Sequence, residues 1–337
     1  MVSRSTISRS TISRATISRA TISRRALLAT GLAAAALPAR AVEGGTFRIG
    51  YQKNGILVVA KQQGTIEQAL KPLGVTVRWT EFSFGPPVLE ALGVGAIDFG
   101  QTGAPPPVFA QAAGNSLLYL AAQDSGGSGE AILVPQGSPL KTLADLKGKR
   151  VAFAKGSSAH YLVVVALEKA GLTYADIEPV TLAPADAAAA FARGAVDAWA
   201  IWDPYFAIAE RQPGTRILAS ASEIAKPSNY FLGNRDYTQA NAPVVQAVLA
   251  ALGEVAAWCE AHRPEVAALL SKGTGVPLDA TQRAVDRSLY VIAPLTEASI
   301  ADQQRVADRF HALGLITNPI RVRDAVWTPP AGPASKG

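Results

Sequence analysis

The sequence has a single cysteine, Cys259, in 337 residues. That excludes an internal disulfide and any C-x-x-C redox or zinc chemistry. Histidine is almost as scarce: His160, His262 and His311 are far apart and none sits in a metal-type spacing such as H-E-x-x-H, so no metal site is expected. Residues 1–41 contain no acid and no lysine but seven arginines, Arg4, Arg9, Arg14, Arg19, Arg24, Arg25 and Arg40. The formal charge of +6 comes from 32 basic against 26 acidic residues, and without this segment the balance is 25 against 26. Bulk positive charge therefore gives no support to nucleic-acid binding by the rest of the chain. At 49% hydrophobic and 17% charged, that remainder is neither disordered nor disulfide-stapled, and it is long enough for two modest domains.

The segment itself is built of SR[SA]TI repeats, with no helical hydrophobic period. After Ser23-Arg24-Arg25-Ala26-Leu27-Leu28 comes an apolar run to Leu37, then Pro38 and Ala39-Arg40-Ala41. A positive stretch, roughly 12 apolar residues and an A-x-A site make a signal peptide, expected to be cleaved after Ala41. Ser-Arg-Arg-x-Leu-Leu resembles a twin-arginine export signal; the other reading is a Sec leader that carries paired arginines. No later stretch approaches the roughly 18 consecutive apolar residues of a membrane span. Cys259, within Val255-Ala256-Ala257-Trp258, reads as a core residue.

From Thr46 onward, short β-rich runs alternate with helical patterns. Strands are expected at Phe47-Arg48-Ile49-Gly50, Val75-Thr76-Val77-Arg78-Trp79, Ile97-Asp98-Phe99-Gly100, Leu117-Leu118-Tyr119-Leu120, Ala131-Ile132-Leu133-Val134, Arg150-Val151-Ala152-Phe153, Val180-Thr181-Leu182, Ala198-Trp199-Ala200-Ile201 and Arg216-Ile217-Leu218. After about Asn241 only four helical stretches follow. The rhythm implies an α/β protein with parallel sheets covered by helices on both faces. Ligands of such sheets sit at the carboxyl ends of strands, against helix N-termini.

Four strand-to-helix turns have the composition for that: 50–55 (GYQKNG), 82–87 (FSFGPP), 100–105 (GQTGAP) and 155–160 (KGSSAH). Glycine lets a backbone approach closely, Ser and Thr cap helices or donate to an oxyanion, and proline opens a helix without removing a needed donor. Converging N–H dipoles favour negative charge, so an anion could be held by neutral donors alone. For each Ser or Thr, a plain helix cap is the competing reading. His160 is either a surface residue of its first helical turn or a ligand contact. Trp202 is either core or the apolar wall of a pocket, and Asp203 is an N-cap by position.

At these turns the sequence resembles the periplasmic substrate-binding proteins of ABC transporters for aliphatic sulfonates, close to the taurine- and nitrate-type binding proteins. The matching segments are RIGYQKNG (48–55), VLEALGVGAIDFGQTG (88–103), PPPVFAQAAG (105–114), 130–172 with its KGSSAHY, AFARGAVDAWAIWDPYFAIAE (190–210) and IADQQRVADRFHALGLI (300–316). The resemblance implies a two-lobed type II periplasmic binding protein fold, each lobe a doubly wound sheet flanked by helices. Lobe I would be 46–131 plus 232–320 and lobe II 132–231, with crossovers near Ala131-Ile132 and Tyr230-Phe231 and a C-terminal tail at 321–337. It implies that Gln52, Gly85, Thr102 and Gly103 from one lobe, with Ser157, Ser158 and His160 from the other, bind the sulfonate. Trp202 would wall its organic tail, and Asp203 would orient the turn or receive a cationic substituent. Ala104 departs from the acidic residue that such proteins often carry there.

The implied partners are a small organosulfonate, an ABC permease with its ATPase subunit, and the export machinery; no nucleic acid and no cofactor is implied. The implied location is the periplasm. A site of donors only selects an ion that presents acceptors only, so an affinity nearly flat from pH 6 to 8 is expected. An enzyme is the other class, but no G-x-S-x-G elbow or Walker A loop is present. Thiamine-precursor synthases with this fold are cytosolic and need no leader. Within the binding class, the alternative is a receptor for taurine, nitrate or another small anion.

Overall fold

The computed structural model describes residues 45–225 and 228–330; the leader, its repeats and the cleavage site at Ala41 lie outside the described residues. The chain runs through β1 (Thr46–Tyr51), α1 (Ile56–Gln63), α2 (Thr65–Leu70), β2 (Thr76–Glu81), α3 (Gly85–Gly93), β3 (Phe99–Thr102), α4 (Pro105–Ala112) and β4 (Leu117–Gln123). It then forms β5 (Glu130–Pro135), β6 (Arg150–Phe153), α5 (Ser158–Lys169), β7 (Glu178–Thr181), α6 (Pro184–Ala192), β8 (Ala198–Trp202), α7 (Tyr205–Glu210) and β9 (Thr215–Ser220). Last come β10 (Asn229–Asn234), α8 (Arg235–Ala240), α9 (Ala242–Ala261), α10 (Arg263–Thr274), α11 (Leu278–Arg287), β11 (Ile292–Ala293) and α12 (Glu297–Ala312).

Two sheets result, β11-β4-β10-β3-β1-β2 and β7-β6-β8-β5-β9. All nine expected strands form, and β10 and β11 are added to them. The expectation of parallel sheets is corrected: each sheet is mixed. β1 is parallel to β2 and β3, and β6 to β7 and β8, but β10 is antiparallel to β3 and β4, and β5 to β8 and β9. The reason is connectivity. A helix returns the chain to the edge it left and makes the next strand parallel. The chain instead reaches β5 and β10 by short passages from the other sheet, residues 124–129 and 221–228. Glu130 already pairs in the second sheet and Asn229 in the first, so both passages lie just before the residues where the crossovers were expected.

The two sheets share a local device. In the first, Asp98, just before β3, accepts the Arg48 backbone N–H at 2.8 Å and its guanidinium at 2.5 Å. In the second, Asp197, just before β8, does the same to Arg150, at 2.9 Å for both. Each aspartate follows a Gly-Ala-(Ile/Val) step, 95–97 and 194–196, and they tie β1 to β3 and β6 to β8. Asp98 is the more buried of the two.

Phe47, Ile49, Phe99 and Phe231 of the first sheet pack under α1, α2, α9 and α10. Ile132, Val151, Phe153, Trp199 and Ile201 form the core of the second. A third cluster includes Val88, Tyr119, Tyr230 and Phe310 of the first half with Tyr161 and Val164 of α5, so it spans both halves. By length and a mean hydropathy of 1.5, α9 could cross a membrane. Its Val244, Val245, Val248, Leu252, Val255 and Cys259 are nevertheless buried against the first sheet, which makes it a core helix. Cys259 is fully buried there, as expected. Beyond α12, the Trp327 backbone donates its N–H to the Tyr119 carbonyl at 3.0 Å, so residues 326–327 are docked on β4.

Candidate functional site

A cleft of about 160 Å³ lies between the two sheets. β1, β3 and β8 end at it and β5 and β10 begin there, since Gln52, Thr102, Trp202, Glu130 and Asn229 all line it. The four turns singled out from composition therefore converge. Gln52, Gly85, Thr102, Gly103, Ser157, Ser158, Trp202 and Asp203 all line the cleft; His160 does not.

Each turn is held from behind. Gln52 donates from Nε2 to the Gln101 carbonyl at 3.1 Å, fixing the first turn to the third. Asn54 Nδ2 donates across the cleft to the Asp203 carbonyl at 3.1 Å. Gly85 opens α3 where a Cβ would stand 2.6 Å from the rigid Pro106 ring, so the second and third turns fit only with glycine there. In the third, Thr102 Oγ1 donates to the Gly103 carbonyl at 3.0 Å. The buried Gln303 of α12 donates to the Ala104 carbonyl at 2.7 Å and to the Tyr119 hydroxyl at 3.1 Å. A Cβ on Gly103 would lie 3.1 Å from the Ser158 Cβ of the opposite sheet. Gly103 and Ser158 thus approach each other closely across the cleft.

In the fourth turn, the two serines have separate roles. Ser157 is the N-cap of α5: its Oγ donates to the Ala154 carbonyl at 2.6 Å and accepts the His160 N–H at 3.4 Å, and its own N–H goes to Ala154 at 3.2 Å. The capping reading holds for its hydroxyl. Ser158, the first residue of α5, lines the cleft together with Glu130.

His160 is fully buried, and both expectations for it, surface residue or ligand contact, are corrected. Its ring stacks on Phe153 at 4.8 Å between centroids and meets Phe310 at 5.2 Å. Nδ1 accepts the Gly156 N–H at 3.1 Å, so the ring is the neutral Nε2–H tautomer and supports the turn from within. Burial, with the charge on Lys155 a smaller cause, pushes its pKa down to about 4. Between that value and the ordinary 6.5 the unfolded chain binds a proton that the folded one excludes, so the His160 contribution is complete above pH 6.5 and is lost as pH falls toward 4. Relative to His160→Phe, which keeps the ring stack, wild type should lose about 3 kcal/mol across that window in urea unfolding. Parallel pH profiles of the two proteins would refute it.

Trp202, the last residue of β8, is 9% exposed and belongs to the core of its sheet as well as to the cleft wall. The expectation that Asp203 is the N-cap of α7 is corrected by one residue: Pro204 holds that position, because the helix starts at Tyr205, and Asp203 Oδ1 reaches in from before it to accept the Ala207 N–H at 2.9 Å. The same oxygen lies 3.4 Å from Arg287 Nη1 of α11, and Oδ2 is buried without a hydrogen-bond partner. Burial pushes Asp203 up to about 7, against the pull of Arg287. Arg287 also pairs with Glu210 of α7 and stacks over the Phe206 ring at 4.0 Å.

Composition did not reveal Asn54, Gln101, Gln123, Asn229, Glu130 or Arg287, all of which line the cleft. Asn54 stands inside a turn already singled out and Glu130 heads a matching segment, so both were within reach. Arg287 comes from the helical tail and carries no local signal. With Glu130 and Asp203 in its wall, the cleft is not a site of donors only. Among the described residues no group of three or more His, Cys, Asp and Glu could hold a metal ion.

The geometry matches that of known proteins. Residues 36–272 match the model of the NMT1-like family. An aliphatic sulfonates-binding protein of Escherichia coli (strain K12) is 43% identical over 284 residues, 84% of this chain and 88% of that protein. The alkanesulfonate-binding protein SsuA from Xanthomonas axonopodis pv. citri, solved bound to MOPS, superposes with a TM-score of 0.81 at 42% identity, covering 85% of this chain and 99% of that one. The periplasmic aliphatic sulphonate binding protein SsuA from Escherichia coli gives 0.79 at 41%, covering 86% and 94%. These relatives are binding proteins rather than enzymes. With two sheets enclosing one cleft and identity above 40% over nearly their whole length, the chain belongs to the NMT1-like family and, within it, to the aliphatic sulfonate-binding proteins.

Proposed function

We propose that this protein captures small aliphatic sulfonates in the periplasm and delivers them to the permease and ATPase of an ABC importer. The observation that carries the reading is the convergence of four strand-end turns from two sheets on one cleft, with Thr102, Gly103 and Ser158 meeting across it. A sulfonate is an anion at every physiological pH and offers three acceptor oxygens, which suits backbone N–H groups and hydroxyls at helix starts. Gln52, Gly85, Thr102, Gly103, Ser157 and Ser158 would surround that group, Ser157 through its place in the turn. Trp202 would cover the organic tail. His160 would act only by supporting the fourth turn.

The two sheets act as lobes in this reading, with 46–123 and 229–320 against 130–220, hinged at the passages 124–129 and 221–228. Residues 1–41 serve as the export leader, and mass spectrometry of the secreted protein should find its first residue at Val42.

Thermal unfolding of the mature protein in phosphate buffer, with and without C2 to C5 alkanesulfonates, tests the function. A ligand at 100 times its dissociation constant should add about 2.7 kcal/mol of stability. No stabilisation by any member of the series, and none in calorimetry, would refute sulfonate capture.

A further inference from the structure

Two phenylalanines of the turn after β2 face different halves of the molecule. Phe82 turns back into its own half, its ring 3.0 Å from where a Cβ on Gly50 would stand, and packs against the cluster that holds Val88. Phe84 is partly buried and packs against the core of the second sheet, the cluster of Phe153, Trp199 and Ile201. It does not line the cleft. Close by, a Cβ on Gly156 would lie 3.6 Å from the Pro86 ring, so the turn at 82–87 rests on the turn that opens α5. Phe84 is followed by Gly85-Pro86-Pro87, which start α3. The prolines fix φ there, so the ring is held out from a rigid base.

Its place in the sheet decides what that contact does. β2 is an edge strand, three places from β10 in the first sheet. With neighbouring strands roughly 4.8 Å apart, the turn after β2 lies about 14 Å along the sheet from the end where the passages cross. The α7–α11 ion pairs are placed differently. Ser128 of the first passage donates to the Arg287 carbonyl at 2.9 Å, so those pairs sit beside the hinge and travel little when the lobes rotate. Phe84 travels far. We propose that Phe84 is the latch of the cleft, an apolar side chain of the first lobe that seats on the second when the lobes close and sets how long a captured sulfonate is held, without touching it. The proposal rests on the sulfonate reading and adds to it the residue that controls release. A side chain seated only in the closed form shifts the open–closed equilibrium by its own burial, whatever ligand lies inside. Its rigid base means that little conformational freedom is lost on seating.

The test is calorimetry with 1-propanesulfonate and 1-pentanesulfonate, with release followed by tryptophan fluorescence after dilution, since Trp202 lines the cleft. Phe84→Ala should weaken both ligands by about 20-fold, as expected for losing a partly buried aromatic ring. Nearly all of that loss should be faster release. The urea midpoint of the ligand-free protein should not move, because the open form leaves the ring in water. Phe84→Leu keeps an apolar side chain and should bind within about fivefold of wild type. An alanine variant that binds as tightly as wild type overturns the proposal. So does a loss for pentanesulfonate many times that for propanesulfonate, which would put the ring on the ligand's tail. A lowered ligand-free midpoint makes Phe84 an ordinary core residue and overturns it too, as does a leucine variant as weak as the alanine one. A wild type that binds neither sulfonate removes the sulfonate reading and the latch with it, a failure distinct from an alanine variant that binds as well as wild type.

Discussion

Arg287→Ala should lower the unfolding free energy by about 3–5 kcal/mol at pH 8, the range for removing one member of a buried ion cluster. Arg287, Asp203 and Glu210 are only 12%, 11% and 14% exposed at the side chain. They join α11, in the tail that packs on the first sheet, to α7 of the second. Without the guanidinium two carboxylates face each other in a poorly hydrated space, and the stacking on Phe206 is lost with it. Asp203 can relieve part of this by taking a proton, because burial already holds its pKa near 7. The loss should therefore be smaller at pH 6 than at pH 8. Urea unfolding at both pH values decides the matter: a loss under 1 kcal/mol at pH 8 would mean that water screens the cluster.

Gly103→Val should weaken sulfonate binding about 100-fold, or about 2.7 kcal/mol. The argument is steric. At the Gly103 Cβ position the nearest atom is the Ser158 Cβ of the facing sheet, 3.1 Å away, with Asn229 Oδ1 at 3.7 Å. Two γ-methyl groups added there have no room unless the sheets separate, and a ligand held by donors from both then loses one set. Gly103→Ala should cost about tenfold, since a few tenths of an ångström of adjustment accommodates it. Binding by the valine variant within threefold of wild type would show that ligand capture does not need the two turns in contact.

Much of this was legible in the chain itself, for a physical reason. Strand-end turns need glycine, proline and small hydroxyl residues, so the four turns stood out by composition; their convergence is visible only once the two sheets are folded against one cleft. Nine strands were visible as short runs of β-branched, aromatic and other apolar residues. β10 was not, because Asn229–Asn234 follows Lys226-Pro227-Ser228 and carries a glycine and two asparagines, a composition that reads as loop. Its pairing with both β3 and β4 stabilises it instead. His160 was ambiguous because a first-turn position does not say which way the ring faces. Only the aromatic cage of Phe153, Phe109, Phe310 and Tyr174 decides that. Arg287 lies 84 residues from Asp203, and no local pattern announces a pair formed at that distance. Ser157 and Ser158 look alike in sequence. They differ by one step along the chain, which leaves the Ser157 hydroxyl bonded inside the turn and Ser158 facing Gly103 across the cleft.

The place of β10 also bears on the order in which the molecule is completed. All five strands of the second sheet lie between residues 130 and 220, so that half has every partner it needs once residue 220 has been made. The first sheet does not. β3 and β4 are not paired with each other; β10 lies between them, and until Asn229–Asn234 exists β4 has no strand beside it. During synthesis the second half, though it comes later in the chain, can close first. The half that begins the chain waits with an open gap that only a strand from beyond residue 228 can fill.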